Sequence, residues 1–184
     1  MLMGRGTAPS GFREEDKVYQ SLKEFVDGWA YESGATLKLL RALTDASLAQ
    51  AVGPAGRTLG RLAWHVTSSV AEMGGHMGLD VRTPSQGEDV VPPRAADIAD
   101  AYEAASASFV EALRRQWTDD MLAGMIPMYG EQWSRGMALG VLILHQCHHR
   151  GQMTVLMRQA GLPVAGVYGP SKEEWAAMGM EAQA

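Results

Sequence analysis

The chain has 184 residues, 46% of them hydrophobic and 20% charged, a composition that fits one soluble domain with a sizeable core. A formal charge of −5, a pI near 5.5 and the lack of any Lys/Arg run argue against nucleic acid or an anionic membrane surface as partner. The single cysteine, Cys147, excludes an internal disulfide, and the longest apolar run, near Met137 to Leu144, is far too short to cross a bilayer, so the cytoplasm is the expected location.

Residues 1–13 have no apolar periodicity and read as a flexible N-terminal segment of a domain spanning 1–184. Val18, Leu22, Phe25, Val26, Trp29, Ser33, Leu37 and Leu40 then recur at three- and four-residue steps, which predicts a first helix over about residues 16–43. After the breaker Gly53-Pro54-Ala55-Gly56, the same spacing in Leu59, Leu62, Ala63, Val66, Val70 and Met73 predicts a second helix, weakening at Gly74, Gly75 and Gly78. Thr83 to Arg94, with Pro84, Pro92 and Pro93, reads as a long crossover connection. Ile98, Tyr102, Ala105, Phe109 and Leu113 mark a third helix. A fourth is predicted from about Glu131 to Ala160, stopped by Gly161 and Pro163, and Ser171 with Glu174 forms a capping box for a short terminal helix containing Trp175. No strand alternation stands out, so the expected fold is all-α: a four-helix bundle with a long crossover connection and a short C-terminal helix.

The fourth helix carries the chemistry. His145 and His149 stand four residues apart, so both imidazoles project from one helix face. Five histidines in a chain of this length give roughly 0.1 such pairs by chance, which makes the spacing informative without deciding it. The pair lies on a stripe with Ala138, Val141, Leu142, Gln152 and Leu156, and buried ring nitrogens need partners that a metal ion supplies. The opposite face, Gly136, Gly140, Ile143, Cys147 and Gly151, is nearly all small and suits either ordinary helix packing or a second subunit; Cys147 points about 200° away from His145 and is a poor candidate for ligand or nucleophile. On the second helix His65, Ser69, Glu72 and His76 trace one polar stripe. His76 and Glu72 suit a solvent-facing edge, whereas His65 sits among Leu62, Ala63, Trp64 and Val66 and belongs near the core. Three histidines from two helices would make an open site of the catalytic zinc kind; Glu72 would alternatively replace one histidine in an iron-type site or orient His65.

The segments GRLAWH (60–65), HQCHHRGQ (145–152) and MRQAGLPVAGVYGPS (157–171) resemble the DinB-like helical bundle family, also called DinB/YfiT-like. The resemblance implies a four-helix bundle with an added short helix, often dimeric, whose metal is held by His65, His145 and His149; it leaves His148 as a spare. It also implies an activity. Members include thiol S-transferases and a thiol-dependent isomerase, so the leading expectation is a metal-dependent enzyme activating a low-molecular-weight thiol for S-transfer on a small-molecule substrate. Zinc is the first choice of divalent ion, with nickel, iron or manganese as alternatives. The second expectation is metal-dependent hydrolysis with Glu72 as candidate base, and the third a metal-binding stress or scaffold protein. Gln152 and Tyr168 are expected in or around the pocket, Tyr168 as a cap on the loop Gly166-Val167-Tyr168-Gly169-Pro170, whose glycines and proline also have a plain turn-making role. A homodimer is expected from the run Val141 to Leu144 and the open Gly136/Gly140 face.

Overall fold

In the computed structural model, which describes residues 18–82, 84, 87 and 89–181, four long helices run α1 (Leu22–Arg41), α2 (Leu59–His76), α3 (Ala95–Gln116) and α4 (Arg135–Gln159). The expected flexible segment at 1–13 and four residues of the crossover (Thr83, Ser85, Gln86, Glu88) lie outside the described residues. Helix α1 starts later than its periodicity predicts because Ser21 caps it: the hydroxyl accepts the Glu24 N–H at 3.1 Å, while Gln20 N–H donates to the Glu24 carboxylate. Val18 therefore precedes the helix, and its side chain fills the space over Gly140, where a Cβ would meet it at 2.9 Å. Gly136 likewise faces Leu122. The close approach expected at these two glycines is thus made by the chain itself.

The prediction of a helix from Glu131, and of no strands, is corrected by a two-stranded antiparallel hairpin. Strand β1 (Met125–Met128) pairs with β2 (Glu131–Ser134), Met125 opposite Ser134 and Met128 opposite Glu131. The two-residue turn is Tyr129-Gly130, both with positive φ (51° and 86°), the twist that joins adjacent antiparallel strands tightly. Ile126 and Met128 point inward, and Ser134 then caps α4 by accepting the Met137 N–H. The terminal helix α5 (Lys172–Trp175) has the expected Ser171/Glu174 capping box.

Helix α2 packs on α3 and α4, and α1 packs on the same two, so α2 and α4 present facing surfaces. The apolar stripes read from the sequence form the core: Phe25, Trp29 and Phe109 meet with ring centroids 5.6 to 6.0 Å apart, joined by Leu39, Leu59, Val66, Ile98, Leu113 and Leu142. Each large side chain buried this way contributes roughly 1.5–3 kcal/mol. One polar residue lies at the centre. Gln146, fully buried, donates to Val66 O (3.1 Å) on α2 and accepts from Tyr102 Oη (3.1 Å) on α3 and Thr36 Oγ1 (3.4 Å) on α1, so a single amide ties α4 to the other three helices. Among the described residues no helix is long and apolar enough to cross a membrane.

Candidate metal centre

The hydrogen bonds of Gln146 hold α4 against α2 next to His145, and the result is a convergence of three rings. His65 Nε2 lies 3.2 Å from His145 Nε2, which lies 3.1 Å from His149 Nε2. Ring centroids are 4.4 to 5.0 Å apart, steeply inclined. These three are the group of histidine, cysteine and carboxylate ligand atoms that meets within 4.8 Å among the described residues. His149 is buried; His65 and His145 are half-buried.

The donor set fits a cation. Gln152 Oε1 accepts from His149 Nδ1–H at 2.8 Å, an assignment by hydrogen-bond pattern that leaves the His149 Nε2 lone pair facing the cluster. Gln152 Nε2 in turn donates to His148 Nε2 at 3.1 Å, so its amide is held from both ends. The buried Nδ1 of His145 has no hydrogen-bond partner, and protein groups supply too few protons to satisfy three ring nitrogens facing one another. A divalent ion satisfies all three lone pairs at once. Burial first, then the neighbouring histidines, pushes His145 from its ordinary 6.5 down to about 4. Burial likewise lowers His149, against the opposing effect of its hydrogen bond to Gln152. Both rings are therefore neutral at pH 7, the form that binds metal.

This electrostatic arrangement sets a pH dependence. The folded state binds fewer protons than the unfolded chain between pH 6.5 and about 4, so stability is full above 6.5 and falls as pH drops through that window. Thermal unfolding of chelator-treated protein from pH 7.5 to 4.5 is expected to show the decline, and His145→Gln to flatten it. Identical slopes for the two proteins would refute the assignment.

The other expected residues separate. Two cavities flank the rings and share no lining residue. One, of about 290 Å³, is lined by His65, Ser69, Glu72, Met73, Tyr129, Val141 and His145. Here Glu72 accepts from Tyr129 Oη at 2.8 Å and faces His76 Nε2 at 3.0 Å; it is not one of the converging ligands. The other, of about 500 Å³, is lined by Val52, Arg57, Leu62, His148, His149, Gln152, Val155 and Leu156. Tyr168 lines neither. The expectation that it caps the metal pocket is corrected: its hydroxyl lies among Glu32 Oε2 (2.8 Å), Cys147 Sγ (2.8 Å) and Arg150 on another face of α4, because the loop after α4 folds back toward α1, where Tyr31 Oη also bonds Val167 O. Cys147, half-buried, belongs to this group and not to the rings.

Residues 18–183 match the family model described as DinB family. The chain belongs to the DinB family. It is 48% identical over 165 residues to the uncharacterized protein YrdA of Bacillus subtilis (strain 168), covering 90% of this chain and 98% of that one. A DinB-like protein from Bacillus cereus ATCC 10987 superimposes with a TM-score of 0.78 at 44% identity, covering 82% of this chain and 99% of that one. YfiT from Bacillus subtilis, described as a probable metal-dependent hydrolase with an unusual four-helix bundle topology, matches at 15% identity with a TM-score of 0.55, covering 88% and 97%. That last likeness concerns the fold alone.

Within the DinB-family motif HQCHHRGQ, sequence reasoning found the ring pair and missed two positioning residues. Gln146 was visible only as a polar residue in an apolar run, a signal of a buried amide that has to find partners. Arg150, 2% exposed, is ion-paired to Glu32 and also donates to Glu32 O (2.6 Å) and Thr36 Oγ1 (3.2 Å).

Proposed function

We propose that this chain is a metal-dependent enzyme in which His65, His145 and His149 hold one divalent ion, zinc in the first instance, and that it activates a low-molecular-weight thiol for S-transfer. One observation carries the reading: three imidazoles from two helices converge, with no fourth protein ligand among the described residues, beside a cavity that reaches His149. The bound ion would supply Lewis acidity, lowering the pKa of a thiol or water in the remaining position. The rest is the work of side chains. Gln152 keeps the His149 proton on Nδ1, and the inner aliphatic wall of Leu62 and Leu156 gives the apolar part of a nucleophile or electrophile a surface to pack on. In the transfer a carbon–sulfur bond forms, the electrophile's leaving group departs, and the thiol proton passes to solvent.

Hydrolysis is a second reading, favoured by Glu72, a carboxylate in the cavity shared by His65 and His145 and able to take a proton from water. The description of YfiT is a reason to test it in parallel. Cobalt-loaded protein separates the two. With cysteine as thiol and 1-chloro-2,4-dinitrobenzene as electrophile, the first reading expects a sulfur-to-cobalt charge-transfer band and turnover requiring both metal and thiol. Hydrolysis expects turnover of an activated ester with metal and water alone, rising with pH and lost in Glu72→Gln. A cobalt spectrum unmoved by thiols and unaccompanied by either turnover would leave a metal-binding scaffold.

A homodimer is a separate proposal. Leu144 is 66% exposed and borders an apolar cavity with Val18, Gly140 and Ile143. Light scattering that finds only a 19.8 kDa species at micromolar concentration would refute it.

A further inference from the structure

The larger cavity has a charge pattern that metal binding leaves unexplained. The chain carries 21 Asp and Glu against 16 Lys and Arg, yet among the described residues no carboxylate lines this cavity and Arg57 is the one formally charged lining side chain. Arg57 takes part in no ion pair or hydrogen bond among the described residues. Its position is set by the backbone: Ala51 and Thr58 form an antiparallel bridge, Leu59 N–H donates to Gln50 O at 2.7 Å, and Gly56 N–H donates to Gly53 O at 3.0 Å, closing residues 51–58 into a turn. The next pair out from that bridge, Val52 and Arg57, both line the cavity.

The walls complete the pattern. Val52 and Val155 are 72% and 53% exposed, aliphatic side chains left in water at the cavity's edge, while Leu62 and Leu156 close its inner side. A ligand body covering them gains by removing apolar surface from water. A guanidinium with no partner among the described residues is suited to an anion, and its planar fork matches a carboxylate with two parallel hydrogen bonds. A phosphate dianion would call for a second Lys or Arg, and among the described lining residues Arg57 is the only one.

We propose that this cavity binds a small organic carboxylate, its aliphatic or aryl body against Val52, Leu62, Val155 and Leu156 and its carboxylate on Arg57, remote from the reacting atom. That the ligand is a substrate rests on the metal-enzyme reading; the anion subsite itself requires no ion. It orients the ligand by fixing the end that does not react, leaving the other end at His149.

The test uses full-length, chelator-treated protein, so that no ion competes for the carboxylate, with hexanoate, hexan-1-ol and hexylamine as probes in calorimetric titrations. Hexanoate is expected to bind saturably and at least tenfold more tightly than hexan-1-ol, with hexylamine weakest. Arg57→Gln should reduce hexanoate to the level of hexan-1-ol, Arg57→Lys should retain part of the difference, and Val155→Asp, at an exposed position, should repel hexanoate with Arg57 intact. Equal binding of hexanoate to wild type and Arg57→Gln, equal binding of hexanoate and hexylamine, or no binding of hexanoate to the wild type would overturn the proposal. A separate Co²⁺ titration of the wild type tests the metal reading: absent Co²⁺ binding would remove the substrate role and leave the anion subsite to be judged on the hexanoate data.

Discussion

Replacing His145 with alanine is expected to lower affinity for a divalent ion by well over a hundredfold, the largest functional effect of any single change in this chain. Losing a residue that only orients a ligand costs about 10- to 100-fold in metal affinity, and His145 is itself a donor. Its Nε2 lies within 3.2 Å of both other ring nitrogens, so its removal leaves two ligands on different helices with nothing between them. His65→Ala and His149→Ala belong to the same class. Gln152→Ala should fall in the lower range, because His149 loses the acceptor that fixes its tautomer. His148→Ala should be nearly silent, since that ring is exposed and is not one of the converging ligands. Elemental analysis of protein purified without affinity metals, with competition against a chromophoric chelator, measures the series. Full metal content and affinity in all three ligand variants would remove the site.

The largest loss of stability is expected at Glu32. Its carboxylate pairs with Arg150, whose side chain is 3% exposed, while the Glu32 side chain itself is 14% exposed. Removing one partner of such a pair strands the other charge, at a cost of about 3–5 kcal/mol. For a chain of this size each kcal/mol lowers Tm by roughly 2–4 °C. Glu32→Ala should therefore show a greatly reduced urea midpoint. Glu32→Leu combined with Arg150→Met should recover most of it, because the second change removes the charge that needed a partner. A Glu32→Ala midpoint within about 1 kcal/mol of wild type would show that Tyr168, Thr36 and Cys147 satisfy the guanidinium without Glu32.

Why some of this was legible in the sequence and some was not follows from the range of the forces involved. Helix periodicity is local, so the stripes of α1 to α4 read correctly, and His145 and His149 were readable as a pair because both stand on one element. His65 needed the facing of α2 and α4, and the resemblance of GRLAWH supplied what spacing alone left open. The hairpin escaped because Tyr129-Gly130 lacks the Asn or Asp that usually marks such a turn, and its four-residue strands are too short for alternation to show. Gln146 and Arg150 took on their roles only once partners on the other helices, 44 to 118 residues away, arrived. Tyr168 failed for the same reason. The loop's turn residues were evident, but the side to which it folds depends on Tyr31 and Glu32 in α1.

The separation of 80 residues between His65 and His145 has a kinetic consequence. Local contacts form early in folding, whereas bringing α2 and α4 together means closing a long loop that contains the crossover and all of α3. An ion therefore meets its full ligand set only after α2 and α4 have docked across that loop. Ligands that assemble this late are mostly absent from the folding transition state, so the binding energy appears as slower unfolding and hardly changes the rate of folding. The ion would act as a latch on a bundle already closed, setting how long the native state lasts once it has formed.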